Sequence, residues 1–481
     1  MRDLTDRALN TAQHQGASHA DIRVVRRRSE DLSVKNGIVE GLVQDESYGF
    51  GVRVIANGAW GFAASSTVTA EEIDRVAAQA VTIAKASARV GKRPVVLAPT
   101  QAIQDRYATP IERDPFSVSF DEKIDYLMRA NDEARAVPGI AIIQGNLSAW
   151  REEKVFASTE GSYIEQTITQ SGLGFETTAV DDDEVQVRSY PNSFGHWMAQ
   201  GWELTREYDL PANARRVAEE AVALLKAPQC PSGVMTLILD GPQTALQIHE
   251  SCGHPIELDR VLGMEAAFAG TSFLTLDKLN SGYRYGSDVV NMTADATLPG
   301  GLGTFGYDDE GVPAQRIDVV TNGIFGGYLT DRQTAALIGM PRSGGCSRAE
   351  GWNRLTMIRM TNVNLLPGTW TLDDLIADTD DGLYLLTNRS WSIDDKRLNF
   401  QFGCELAYEI KNGKLGRMFK NPTYQGMTPQ FWGACDAVCN ADHWVVWGTP
   451  NCGKGQPMQI GHTGHGAAPA RFRNIKVGVM R

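Results

Sequence analysis

The chain contains 481 residues, of which 42% are hydrophobic and 22% charged, as is ordinary for a globular protein. Its length predicts about two to four domains, with cores large enough to fold without disulfide bridges. The net charge of −12 argues against a broadly basic surface, so we expect binding to neither nucleic acid nor anionic membranes.

The cysteines and the N-terminus bear on the compartment. The cysteines are odd in number and scattered, which predicts reduced thiols rather than a disulfide framework. They are Cys230, Cys252, Cys346, Cys404, Cys435, Cys439 and Cys452. The N-terminus lacks a signal-peptide core, and no apolar run reaches the roughly 18 residues of a membrane helix. We therefore expect a soluble, cytoplasmic protein.

The first segment is predicted to form an antiparallel sheet with a helix on either side of it in sequence. Helical spacing marks residues 3–15 and about 69–88, and β-branched alternating stretches lie between them. Asn36-Gly37 and Asn57-Gly58 separate such stretches and are typical of tight hairpins. We predict an N-terminal α+β domain at 1–92.

A proline-rich segment and a second unit follow. Four prolines between residues 93 and 118 predict a linker. A predicted helix at 120–137, strands between 140 and 180, and a helix at 211–226 indicate a middle α+β domain at 119–230. The remaining 231–481 is glycine-rich with many short strand-like runs, which predicts a mostly β domain. The expected fold class is α+β, with antiparallel sheet units and flanking helices ahead of a β-rich C-terminal domain that carries a metal-binding helix.

The strongest chemical signal lies on the predicted helix 242–253. His249 and Glu250 stand about two turns into this helix, and His254 follows five residues after His249. In an ideal helix of about 3.6 residues per turn, such a spacing turns the two rings roughly 140° apart. Gly253 and Pro255 can break the helix at this point, or a π-type turn can bring the positions together.

Two histidines beside a glutamate suit catalysis by zinc. Such a site typically has three protein ligands and an open position, and Glu250 is placed to act as the general base toward an activated water. Spacing alone leaves the third ligand open. The candidates are Cys252, Cys435, Cys439, Cys452, His443, His462, His465, Glu257 and Asp259.

Several blocks of the chain resemble the TldD/PmbA family of metallopeptidases, and specifically its catalytic TldD branch. HESCGHPIELDR matches the family's His-Glu-x-x-x-His signature, and similar blocks follow at 304–340, 344–368 and 451–478. The resemblance implies a zinc-dependent peptidase in which His249, His254 and Cys452 hold Zn²⁺ and Glu250 is catalytic. Lys454 is close enough in sequence to help ionise Cys452. Pro255 and Cys252 depart from the residues usual in this motif.

The resemblance also carries expectations about substrates and partners. It implies small or unfolded peptides as substrates, and either a homodimer or a heterodimer with a related PmbA/TldE-like subunit that lacks the zinc motif. Arg348, Asp309 and His465 are predicted to contact the substrate. The alternative is a non-catalytic peptide-binding or scaffolding subunit of such a complex, which would not need the Glu250 carboxylate.

Overall fold

A computed structural model describes residues 1–91, 93–193, 195–267 and 270–478. The predicted class is confirmed: helices flank a large sheet in the first half, and the C-terminal half is mostly β. Within these ranges, no helix combines the length and apolar character needed to cross a bilayer.

One sheet runs through the first half of the chain. Its strands are β1 (His19–Lys35), β2 (Ile38–Ala56), β3 (Ala59–Ser65), β4 (Gln104–Ala108), β5 (Ile140–Ser158), β6 (Tyr163–Asp181), β7 (Glu184–Tyr190) and β8 (His196–Met198). The order is β3-β2-β1-β5-β6-β4, with β7 and β8 also on β6. The long β1–β5 ladder joins the units predicted at 1–92 and 119–230. Strand β4 lies inside the predicted linker and pairs in parallel with β6.

The helices of this half cover two separate apolar clusters. They are α1 (Arg2–His14), α2 (Ala70–Ser87), α3 (Phe120–Arg135), α4 (Leu204–Glu207) and α5 (Leu210–Lys226). The first cluster lies between α1, α2 and strands β1–β3, and the second between α3–α5 and the middle of the sheet. Thr69, Ser119 and Asp209 cap helices α2, α3 and α5 by accepting a backbone N–H bond, as N-cap side chains do.

The C-terminal half has its own core and several sheets. Its strands are β9 (Gly233–Leu239), β10 (Met292–Asp295), β11 (Arg316–Thr321), β12 (Ile324–Phe325), β13 (Ser347–Arg348), β14 (Met357–Ile358), β15 (Val363–Leu365), β16 (Asp381–Ile393), β17 (Asn399–Lys411), β18 (Lys414–Lys420), β19 (Thr423–Met427), β20 (Cys435–Val438), β21 (Val445–Lys454), β22 (Gln459–Ala467) and β23 (Ala470–Val477). The pairings β16-β9-β23-β19-β17 close on themselves through β16–β17, so these strands form a ring. A ring of this kind leaves few unpaired sheet edges.

Short helices complete the C-terminal half. They are α6 (Gly241–Ile248), α7 (Leu258–Val261), α8 (Arg332–Leu337), α9 (Leu372–Ala377) and α10 (Thr428–Gly433). Helix α6 starts where β9 ends, and the Asp240 carboxylate caps it by accepting from the Gln243 N–H. The hairpin β21–β22 packs beside it, so a strand from the end of the chain reaches the start of this domain.

Buried ion pairs join the large sheet to the C-terminal half. Lys154 contacts Asp309 at 2.5 Å, and Arg188 contacts Glu405 at the same distance. Backbones also meet directly, because a Cβ added at Gly448 of β21 would overlap the carbonyl oxygen of Trp197 on β8. The two halves therefore fit closely at this seam, and side-chain volume there is constrained.

The Gly448→Ala variant tests this seam. The added methyl group must push the two strands apart, so we expect a loss of about 1–3 kcal/mol in the free energy of unfolding, the range for overpacking. Gly433→Ala is the matched control, because a Cβ there meets no atom within 4 Å. Chemical denaturation measures both. Equal stability of the two variants would contradict the close strand contact.

Candidate metal centre

A π-helical turn sets the geometry of the motif. Helix α6 passes into a π-helical turn at His249–Gly253, and the His254 N–H donates to the His249 carbonyl at 3.2 Å. The rings of the two histidines thus lie on one side, with centroids 4.9 Å apart. Of the two mechanisms open from sequence, the π turn is the one observed. His254 keeps helical dihedrals (φ −66°, ψ −42°), so Pro255 does not displace it.

Gly253 serves the turn through its size. Its φ is not in the left-handed region that glycine favours, so Gly253 does not break the helix. Instead, a Cβ at this position would overlap the sulfur of Met360, so the absence of a side chain lets Met360 pack against the turn. Ser251 anchors the opposite side, since its hydroxyl accepts from the Trp432 indole at 2.9 Å and its carbonyl accepts from the Tyr285 hydroxyl at 2.9 Å.

A hydrogen-bond relay fixes the tautomer of His249. His465 donates from Nδ1 to the Val363 carbonyl at 3.0 Å, so in its neutral form its Nε2 is an acceptor. His249 Nδ1 lies 2.7 Å from that Nε2 and therefore donates to it. The relay leaves Nε2 of His249 with a free lone pair, the form that binds a metal. His465 is fully buried behind His249, which is not where the predicted substrate contact would lie.

Glu257 fixes the tautomer of His254 by a single hydrogen bond. Its Oε2 lies 2.9 Å from Nδ1 of His254, so Nδ1 donates and Nε2 is left as the ligand atom. Glu257 was one of several candidate ligands in the sequence. Instead, Glu257 accepts a hydrogen bond from the imidazole on the side away from the other ligands. A carboxylate in this position commonly orients a metal-binding histidine. Lys454 approaches the other oxygen of Glu257 at 3.4 Å.

Cys452 completes the cluster from a distant strand. It lies on β21 opposite Gly461, and its Sγ is 3.7 Å from Nε2 of His254. Ligand atoms of His249, His254 and Cys452 all lie within 4.8 Å of one another. A tetrahedral zinc site with Zn–N of about 2.1 Å and Zn–S of about 2.3 Å separates its ligand atoms by about 3.3–3.6 Å. The donor set and its spacing therefore fit zinc after a small contraction.

Across the described ranges, no other group of three or more histidine, cysteine or acidic side chains shares a point in this way. The other predicted candidates have different surroundings. Cys252 packs in the core, where burial raises the pKa of its thiol to about 12. His443 accepts a hydrogen bond from the Leu372 N–H, and His462 bonds Gln170.

The charges around the cluster favour metal-binding forms. Burial, and then the charge of Arg397, lower the pKa of His254, so its imidazole is neutral. Burial disfavours the Cys452 thiolate, but the charge of Arg359 favours it, and the pKa of this thiol lies below its usual value. Lys454 does not supply this effect as predicted. Its ammonium is bound by both oxygens of Asp259, at 2.7 and 2.9 Å.

The carboxylate of Glu250 lies beside the cluster and forms an ion pair with Arg397. Arg397 lies in the turn between β16 and β17, where its φ is +62° and Thr428 donates to its carbonyl at 2.8 Å. Sequence reasoning missed this residue, because nothing near position 397 links it to a motif 147 residues earlier. Its charge also lowers the pKa of His249, after the larger effect of burial.

The other predicted substrate residues lie in a separate cavity between the two halves. Asp309 is buried there and accepts from Lys154 and from the Ala349 N–H. Arg348 donates to the carbonyls of Met360 and His462 and lines the same cavity. The structure thus groups Arg348 and Asp309 apart from His465.

Two imidazoles and a thiolate around one point, with an arginine-paired carboxylate next to them, define the class of a metal-dependent hydrolase centre. Comparison with known proteins gives the family. The chain matches PmbA/TldA metallopeptidase domain 1 at residues 20–84, the central domain at 113–226 and the C-terminal domain at 232–478. The chain therefore belongs to the TldD/PmbA metallopeptidase family.

Individual relatives agree with this assignment. A protein of Methanocaldococcus jannaschii named as a metalloprotease is 32% identical over 93% of this chain and 94% of its own length. A zinc metalloprotease TldD homolog of Saccharolobus solfataricus is 24% identical, with 98% of both chains covered. The crystal structure of TldE from Thermococcus kodakarensis shares the fold with a TM-score of 0.77, at 17% identity over 99% of this chain and 100% of that one.

The role of Glu257 can be measured as zinc affinity. Glu257→Gln keeps an acceptor for His254 but removes the negative charge, so we expect roughly tenfold weaker zinc binding, the lower end for residues behind a metal ligand. Competition against a zinc-responsive chelating dye measures the change. Glu409→Gln, on an exposed pair with Arg417, is the control and should bind zinc like the unsubstituted chain. Unchanged affinity in Glu257→Gln would show that the negative charge of Glu257 does not strengthen zinc binding.

Proposed function

We propose that this protein is a zinc-dependent peptidase that hydrolyses small or unfolded peptides, with Glu250 as the general base. The observation that carries the proposal is the Glu250 carboxylate next to the convergent His249, His254 and Cys452 side chains. The names of the relatives support peptide-bond hydrolysis, and one of them specifies zinc.

The residues of the chain divide the chemistry between them. Zinc, when bound, supplies a Lewis acid that polarises the scissile carbonyl and makes a water molecule more acidic. Glu250 takes the proton of that water and passes it to the leaving amine. His465 and Glu257 hold the two imidazoles in the required tautomers throughout.

Arg397 is proposed as the positioning residue for the base. Its guanidinium forms an ion pair with the Glu250 carboxylate and so holds the base in one orientation. Arg397 reaches the site from the turn between β16 and β17.

The proposed substrate and partner follow from the family. Arg348 and Asp309 line the cavity between the two halves, which gives a peptide room to extend beyond the scissile bond. We propose that the chain acts as a pair in the cytoplasm, either with itself or with a TldE-like subunit, since a TldE structure has the same fold. The scaffolding alternative is less favoured, because such a subunit has no use for Glu250 beside three metal-ligand side chains.

The Glu250→Gln variant tests the mechanism. The amide cannot accept a proton, so cleavage of an unfolded peptide should fall by about 10²–10⁴-fold, the usual contribution of a general base. Zinc content should stay at about one ion per chain, since the three ligands remain. Mass spectrometry of peptide products gives the rate, and elemental analysis gives the metal.

Two controls complete this test. Glu207→Gln, an exposed change of the same kind, should cleave normally. Removal of zinc with a chelator should abolish cleavage, and added zinc should restore it. Cleavage by Glu250→Gln at the unsubstituted rate would exclude Glu250 as the base, and zinc-loaded protein that cleaves no peptide would favour the scaffolding alternative.

A further inference from the structure

A cavity of about 420 Å³ separates the large sheet from the C-terminal half. We call it the interdomain cavity. Its walls include Arg27, Trp150 and Glu152 from the sheet, and Arg348, Arg359 and His462 from the C-terminal half. This volume is in the range of small-ligand sites, which bind molecules of a few residues.

Most charges around the interdomain cavity are already paired. Arg27 contacts Glu152 at 2.7 Å, and Lys154 contacts both Glu152 at 3.2 Å and Asp309 at 2.5 Å. The charges of Arg27 and Lys154, on the sheet side of the cavity, are therefore neutralised by neighbouring carboxylates. A buried charge is costly unless it is paired, so an unpaired one in such a place needs an explanation.

On the C-terminal side of the cavity, the cations Arg348 and Arg359 are not paired in this way. Among the residues that the structure describes, neither forms an ion pair with a carboxylate; each donates to backbone carbonyls instead. The Nε of both guanidinium groups has no hydrogen-bond partner, and Arg359 is only 2% exposed. Burial, and then the like charge of Arg359, lower the pKa of Arg348 to about 10. The pair therefore lacks an anion.

The remaining walls suit the body of a peptide. Trp150 stacks on Trp197 with centroids 4.8 Å apart and lies 4.4 Å from the His462 ring. Phe305 lies under the Arg348 guanidinium at 5.6 Å. Aromatic faces bind apolar side chains, whereas paired guanidinium groups bind a planar carboxylate.

The interdomain cavity also adjoins the metal centre. Arg359 donates from Nη2 to the carbonyl of Cys452 and from Nη1 to the carbonyl of Gln459 at 3.0 Å. One arginine thus touches the strand that carries the third ligand and borders the cavity.

We propose that Arg348 and Arg359 bind a carboxylate of a peptide in the interdomain cavity. The inference rests on the proposed function only for the ligand being a peptide. The carboxylate comes either from the C-terminus or from an acidic side chain. Both sources present the same planar anion to the two guanidinium groups, and the test separates them.

Fluorescence polarisation on zinc-free protein gives the test. The first probe is an N-terminally fluorescein-labelled Ala-Leu-Gly-Phe-Ala peptide, compared as the free acid and as the C-terminal amide. The second is the amide with its Gly replaced by Glu, compared with the Gln form. We expect at least one carboxylate form to bind about tenfold more tightly or better, as for a charge-assisted hydrogen bond. Equal binding within both pairs of probes overturns the proposal.

Variants show which arginine is responsible for the preference for a carboxylate. Arg348→Gln should remove the preference for the carboxylate, and Arg348→Lys should keep part of it. Arg28→Gln is the matched control: Arg28 lines the same cavity, but its guanidinium lies over Phe116 at 5.0 Å, so the preference should remain. Loss of the preference in Arg397→Gln but not in Arg348→Gln would place the carboxylate at the metal centre and overturn the proposal.

The experiment is independent of catalysis. It uses no zinc and measures no cleavage, so it can succeed when the Glu250→Gln test fails, and the reverse. Arg348 also bonds two carbonyls, and circular dichroism must show that its variants fold. If they do not, the comparison of acid and amide on the unsubstituted chain still decides whether a carboxylate is bound.

Discussion

The bond from the His254 N–H to the His249 carbonyl is the constraint on which the site depends. Because it spans five residues, it widens the turn and brings two side chains to one face that a regular helix would separate. A π turn is rare, and packing on both sides stabilises this one. Met360 fills the space that Gly253 leaves, and Ser251 is held by two aromatic residues. Local sequence permits the turn, and tertiary contacts select it.

Each imidazole is then oriented by a hydrogen bond to its other nitrogen, His249 by a residue remote in sequence and His254 by a nearby one. His465 lies on β22 and Glu257 follows the π turn, and each accepts the N–H that would otherwise compete for the ligand position. The Val363 carbonyl sets the tautomer of His465 in turn. The ligand geometry therefore depends on the packing of β15, β22 and α6 together. Orientation before metal binding lowers the reorganisation needed when the ion arrives.

A feature of the site could be predicted from the sequence only where the residues that form it lie close together along the chain. The motif of His249, Glu250 and His254, and the two ways of bringing its rings together, follow from spacing. Cys452 followed only from the family resemblance, because a side-chain contact across 198 residues leaves no local pattern. Neither motif spacing nor the family resemblance pointed to Arg397. Strand β4 was hidden in a proline-rich stretch, and alternation alone did not indicate that β1 and β5 would join two units in one sheet.

The arginines resolve an electrostatic conflict within the site. Cys452, Glu250 and Glu257 are all buried, and negative charges held close together in a protein interior repel one another. Arg397 contacts Glu250, and Arg359 favours the Cys452 thiolate, so cations from two distant segments offset the repulsion before any metal binds. A chain of net charge −12 thus keeps a local excess of guanidinium groups at its centre. The same excess extends through Arg359 to Arg348, which is why an anionic peptide group would find its counter-charge next to the metal ligands.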